Sequence, residues 1–95
     1  MTILSKYKIS GHSMEPAIKD KDYVLVSGLT YLFRKPKIGD VVLFRIKKET
    51  YIKRIERING EKFFVLGDNS NDSLDSRDFG WIPKNIILGK VILKI

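Results

Sequence analysis

The stretch YIKRIERINGEKFFVL, residues 51–66, decides how the rest of the chain is read. Asn59-Gly60 divides it into two runs rich in β-branched and aromatic residues. Both members of that dipeptide tolerate positive φ, so it predicts a tight hairpin turn. Ile52, Ile55 and Ile58 recur every three residues, a spacing that also suits one face of a helix. The β-branched content and the turn that follows favour a strand, and a β-bulge would account for the irregular alternation.

Outward from this hairpin the same pattern repeats. Short runs rich in Val, Ile, Phe and Tyr stand at Tyr23–Val26, Val41–Ile46 and Ile86–Leu93, besides Tyr51–Ile58 and Phe63–Leu66. Turn signals lie between them: Gly11, Asp20–Asp22, Gly28, Pro36–Asp40 and the polar tract Asp68–Gly80. Short strands spaced by turns predict an all-β, mainly antiparallel fold with at most short helical turns. One such helical turn is expected over residues 14–19, MEPAIK, with Ser13 as its cap and Pro16 early in it. Neither a repeat nor a linker interrupts the sequence, so residues 1–95 read as a single domain, near the lower end of chains that fold alone.

Composition narrows the function classes. The chain contains no cysteine, which excludes a disulfide framework, a thiolate nucleophile and a cysteine zinc site. Its single histidine excludes a histidine-rich metal site, and no metal or other cofactor is expected. The longest apolar runs, such as Val41–Phe44, fall far short of the roughly 20 residues of a membrane span. The first ten residues, MTILSKYKIS, lack the apolar core and cleavage site of a signal peptide. Net charge is +7, and it is concentrated in residues 1–57. A basic half suits nucleic acid, anionic lipid or a plain solvated surface, so a non-catalytic basic β-domain is one reading. Within that half GLTYLF, residues 28–33, sets Leu29, Tyr31, Leu32 and Phe33 just before Arg34, Lys35 and Lys37. Aromatics beside cations suit peripheral contact with an anionic membrane, while packing in the core is the alternative.

The chemistry-bearing segments are SGHSMEP, residues 10–16, and GDNSNDSLDSR, residues 67–77. His12 stands beside Ser13, but adjacent residues of an extended segment point to opposite faces. A Ser–His–Asp triad would need a second histidine from elsewhere, and there is none. If Ser13 is a nucleophile, its base is therefore a lysine or a carboxylate. A lysine serves only when neutral, which requires burial among apolar groups. Lys53, flanked by Ile52 and Ile55, suits that role, with Arg54 facing the other way toward acids. The alternative is that Lys53, Arg54 and Arg57 form a solvated charged face. The 67–77 tract reads as a turn-rich loop, or as a hydroxyl-rich loop that orients a catalytic group. A calcium loop fits poorly, because Ser73 replaces the sixth-position glycine and Phe79 the terminal glutamate.

Four segments in order resemble the sequence boxes of type I signal peptidases. They are Ser-Met-Glu-Pro (13–16), Gly-Asp-Val-Val-Leu-Phe-Arg (39–45), Tyr-Ile-Lys-Arg (51–54) and Gly-Asp-Asn-Ser-Asn-Asp-Ser-Leu-Asp-Ser-Arg (67–77). The segment from Phe79 to Val91 is also similar to theirs. The resemblance implies a Ser/Lys-dyad endopeptidase that cleaves an N-terminal signal or propeptide after small residues. It implies Ser13 as nucleophile, Lys53 as general base, Ser73 as the group that orients the lysine, and the Ser13 N–H as an oxyanion donor. It implies pocket roles for Ile9, Met14, Ile18, Tyr51 and Ile52, and supporting ion pairs from Asp68, Asp75, Arg54 and Arg77. Gly11 stands where some members carry an additional oxyanion hydroxyl. Lys53 in place of histidine is similar to the bacterial-type branch. The compact form resembles the small soluble relatives that mature nickel-containing superoxide dismutase, so a metalloenzyme precursor is a second substrate class. The expected partner is a precursor protein, and no nucleic acid is expected. The location expected is membrane-associated and extracytoplasmic if an anchor is missing, and cytoplasmic if the chain is complete.

Overall fold

The computed structural model describes residues 3–95; Met1 and Thr2, the start of the MTILSKYKIS segment, lie outside the described residues. Seven strands form one antiparallel sheet: β1 Leu4–Lys8, β2 Tyr23–Ser27, β3 Val41–Ile46, β4 Glu49–Asn59, β5 Lys62–Leu66, β6 Ile82–Pro83 and β7 Ile87–Lys94. Their spatial order is β1-β2-β7-β3-β4-β5-β6. Two single-turn helices, α1 Thr30–Phe33 and α2 Ser76–Phe79, and a 3-10 turn at Lys84–Ile86 complete the elements. The fold is all-β, as the alternation of turns and β-rich runs predicts.

Residues 51–66 form the hairpin between β4 and β5. Asn59 pairs with Lys62, so the two-residue loop is Gly60-Glu61, one position later than the Asn-Gly dipeptide. Gly60 takes φ 61°, a value glycine adopts without steric cost at the first loop position. The pairing passes from Ile55↔Val65 to Arg57↔Phe64, which leaves Glu56 as a bulge residue. The bulge separates Ile55 from Ile58, while Ile52 and Ile55 face opposite buried clusters, so isoleucines three apart coexist with a strand. The preceding hairpin has no glycine or asparagine to mark it: Ile46 pairs with Glu49, and Lys47 turns the chain at φ 56°.

In the segment after β1, residues 14–19 form turns that close one bond of helical spacing and do not continue as a helix. A cis Glu15–Pro16 bond lies within them, and the Ile18 N–H closes a single bond onto the Met14 carbonyl at 2.9 Å. Ile9 ties this loop to the sheet by donating to Asp22 O and accepting from Lys21 N.

Both faces of the central strands are covered. Leu43 and Ile52 join Ile9, Met14, Ile18, Val24 and Val26 in one buried cluster. Val42 and Phe44, on the opposite face of β3, join Ile55, Phe63, Val65 and Ile82 in a second. Period-2 alternation sends neighbouring side chains to opposite sides, so a fully apolar run such as Val41–Phe44 needs two cores. Burying a side chain the size of Phe44, fully buried here, contributes roughly 1.5–3 kcal/mol. Tyr51 stacks on Phe44 at 5.5 Å and meets Phe79 at the same distance, extending the second cluster to α2.

Candidate active site

The long strand β4 delivers the lysine. On its face Tyr51, Lys53 and Ile55 alternate toward the second cluster, while Ile52 and Arg54 point the other way. Lys53 is 4% exposed. Lys53, Arg54 and Arg57 thus separate: Lys53 is buried, Arg54 half-buried, and Arg57 exposed with its guanidinium 5.4 Å from the Phe64 ring centre. Lys53 Nζ lies 2.8 Å from Ser13 Oγ across 40 residues of sequence. Burial lowers the Lys53 pKa by disfavouring its ammonium form, and the charges of Asp75 and Asp72 partly counter that.

His12 is not part of this pair. Its Nδ1 lies 2.6 Å from Glu15 Oε2 on the exposed side of the loop. Glu15 also accepts from the Asp20 N–H, and Asp20 Oδ1 accepts from the Gly11 N–H at 2.8 Å. These bonds brace the Ser13 loop from outside. The hydrogen bond to Glu15 raises the His12 pKa.

The 67–77 tract holds the Ser13 loop, with Asn69 donating to the His12 and Ser13 carbonyls. Asp75 is fully buried and is the hub. Its carboxylate accepts from Arg77 Nε and an Arg77 terminal nitrogen at 3.0 and 2.8 Å, the Gly67 N–H at 2.9 Å, and the Ser73 hydroxyl at 2.8 Å. Asp75 also caps α2, where Asp78 completes a capping box. Burial alone would raise its carboxyl, but these donors hold it well below the usual carboxylate range. The Ser73 hydroxyl thus goes to Asp75, and no hydrogen bond joins Ser73 to Lys53; the serine meets the lysine's surroundings through the aspartate. Further out, Arg54 grips Asp68 with two bonds of 2.9 Å and donates a third to the Gly39 carbonyl.

A cleft of about 390 Å³ opens at the pair, lined by Tyr7, Ser10, Glu49, Thr50, Tyr51 and Ile52 besides Ser13 and Lys53. Tyr51 and Ile52 therefore line the cleft. Ile9, Met14 and Ile18 instead pack in the buried cluster behind Ile52. A depression of about 440 Å³ near the β4–β5 turn, walled by Ile58, Phe63 and Lys84 among others, contains neither Ser13 nor Lys53. The paired serine and lysine lie in the smaller cleft.

Gly67, Asn69 and Ser76 contribute in ways that residue type alone does not reveal. A Cβ on Gly67 would stand 2.1 Å from Ser73 Oγ and 2.7 Å from the Ser13 carbonyl oxygen. Asn69 donates its backbone N–H to Ser13 O at 2.8 Å and its side-chain Nδ2 to His12 O at 3.1 Å. Ser76 Oγ accepts from the Val65 N–H at 2.8 Å, joining α2 to β5. The signal available in sequence was the order Gly-Asp-Asn itself, a close-approach residue followed by two that hydrogen-bond.

The sheet brings a buried lysine up to a serine hydroxyl. Comparison with known proteins gives the family. The family model of signal peptidase, peptidase S26, matches residues 1–62 and 56–95. The chain belongs to that family. It is 24% identical to signal peptidase I of Leptolyngbya laminosa over 90% of this chain and 66% of that protein. It is 30% identical to mitochondrial inner membrane protease subunit 1 of Homo sapiens, with the same shares covered. A further relative, mitochondrial ATP-independent inner membrane protease subunit 1a of Arabidopsis thaliana, is 30% identical over 98% of this chain and 71% of its own length. The chain thus spans just under two thirds of the first two relatives.

Proposed function

We propose that the protein is a serine endopeptidase of the signal-peptidase type, cleaving a precursor's N-terminal signal or propeptide after small residues. The observation that carries this reading is the 2.8 Å approach of buried Lys53 Nζ to Ser13 Oγ. Ser13 Oγ attacks the scissile carbonyl while its proton passes to neutral Lys53. The Lys53 ammonium then protonates the leaving amine, and water hydrolyses the acyl-enzyme. The Ser13 N–H stabilises the oxyanion. Ser73 acts one step removed, holding Asp75 beside the lysine.

The substrate lies extended along β4. Residues 49–53 pair with β3 on one side, whereas pairing with β5 begins only at Arg54. That leaves a backbone edge facing the cleft, suited to strand addition by a peptide. Tyr51 and Ile52 form apolar walls beside the nucleophile, which favour small substrate side chains. Residues 1–95 act as one catalytic domain in this reading, supported by a single sheet that bears both Ser13's loop and Lys53.

Ser13→Ala and Lys53→Ala should each lower cleavage of a signal-peptide substrate by about 1,000-fold or more with an unchanged circular-dichroism spectrum. Undiminished activity in either variant overturns the reading. Activity should rise with pH as Lys53 loses its proton, with a limb below the ordinary lysine range. Expression of Ser13→Ala in the source cell should accumulate an exported precursor. Accumulation of a metalloenzyme precursor would redirect the substrate assignment to the maturation class.

A second observation favours membrane contact. Leu32 and Phe33 are 74% and 84% exposed, and Arg34, Lys35 and Lys37 follow directly. Apolar side chains beside cations suit an anionic lipid surface. Liposome flotation unchanged by Leu32→Asp with Phe33→Asp would dismiss this contact.

A further inference from the structure

Asn69 holds two consecutive carbonyls of the nucleophile loop, His12 O through its side chain and Ser13 O through its backbone. The His12–Ser13 peptide is trans, since the cis bond among the described residues lies at Glu15–Pro16. In a trans peptide the C=O and N–H of one plane point in opposite directions. Anchoring His12 O toward Asn69 therefore aims the Ser13 N–H away from it. That N–H donates to no group among the described residues, as an oxyanion donor awaiting substrate must. A hydrogen bond received by a peptide carbonyl also polarises the N–H of the same plane and strengthens it as a donor.

Asn69 is itself fixed from both sides. Asp68 before it is gripped by Arg54, and the Gly67 N–H is bound by Asp75. The Asn69 carbonyl accepts from the Asp72 N–H at 3.0 Å, closing the turn that presents the side chain. Gly67 supplies the space, because any Cβ there would collide with the Ser13 carbonyl that Asn69 binds.

We propose that Asn69 is the positioning residue of the oxyanion hole, orienting and polarising the Ser13 amide by holding the carbonyl of His12. It acts on the stabilisation of the tetrahedral intermediate and leaves the Ser13–Lys53 proton transfer untouched. This assignment rests on the serine-peptidase reading above. It matters more here because Gly11 brings no side-chain donor to the hole.

The test uses the whole chain with an internally quenched signal-peptide substrate and a peptide boronate that forms a tetrahedral adduct on Ser13. Asn69→Ala should lower kcat by about 10- to 100-fold, with KM changed by less than about threefold. Boronate affinity should fall by the same factor as kcat/KM, as transition-state stabilisation requires. The pH limb set by Lys53 should stay where it is. Asn69→Leu, which keeps the backbone bond and approximate shape without adding charge but lacks the donor, should behave alike. In ¹H–¹⁵N spectra of the free protein the Ser13 amide proton should move upfield in both variants. An unmoved Ser13 amide, kcat/KM within about threefold of the original, a loss confined to KM, or a displaced pH limb would overturn the assignment. Should the unaltered protein fail to cleave, or Ser13→Ala match it, the peptidase reading fails instead, and the amide shift still decides whether Asn69 governs that peptide plane.

Discussion

The two arginine–aspartate clamps beside the cleft look equivalent in sequence and differ in the fold. Arg54–Asp68 is the outer clamp, with side chains 39% and 21% exposed. Arg77–Asp75 is the inner one, with its aspartate at zero exposure. Both are bidentate. Only the inner carboxylate also binds a hydroxyl and a distant backbone N–H, and only it acts on the charge of Lys53. Similar pairs thus serve different purposes: the inner clamp organises the lysine's surroundings, and the outer one holds the loop that carries Asn69.

The strongest way to break this comparison is to remove the inner carboxylate. Asp75→Ala should strand the Gly67 N–H and the Ser73 hydroxyl and cost about 3–5 kcal/mol in urea unfolding, with activity lost. A loss under about 1 kcal/mol would put the two clamps on equal terms. Next in size is Gly67→Ala. Its Cβ meets a backbone oxygen that cannot swing away, so about 1–3 kcal/mol of stability should be lost, with cleavage falling further than stability explains.

Acid sharpens the comparison without mutation. Asp75 has a folded pKa below its unfolded value, so its contribution is present above the unfolded value and disappears as pH falls through the folded one. Unfolding free energy should therefore drop below about pH 4. Asp75→Asn should flatten that drop, and an unchanged acid slope would refute the link. The smallest effect belongs to Arg54→Ala. A partly exposed pair contributes about 1 kcal/mol or less, so thermal melting should shift little while activity falls severalfold through Asn69. A stability loss matching that of Asp75→Ala would erase the distinction.

Much of the sheet is legible in the residues. Val41–Ile46 is a strand with the bounds the sequence predicts, and β4, β5 and β7 lie within two residues of theirs. β1 has no such signal. Leu4–Lys8 is an edge strand with no buried side chain, so it needs no apolar face to mark it. What steadies it lies across the pair, where Lys6 Nζ sits 4.5 Å from the Tyr23 ring centre. The β3–β4 turn is equally silent, because pairing of two strongly apolar strands places Lys47 at positive φ without a glycine.

The site divides in the same way. Residue chemistry alone removes cysteine and a histidine triad, and leaves Ser13 with a carboxylate or with a lysine whose usefulness depends on burial. The order of the four sequence segments, more than any spacing, points to the family. Which lysine is buried, how deeply, and that Ser73 reaches it only through Asp75 are decided by packing. So is the part played by Asn69, whose side chain acts on a carbonyl 57 residues away. Sequence determines which groups can react and which runs pair, because both are local properties of side chains. Depth, direction and partnership depend on what the folded sheet brings alongside them, and desolvation and hydrogen-bond geometry exist only there.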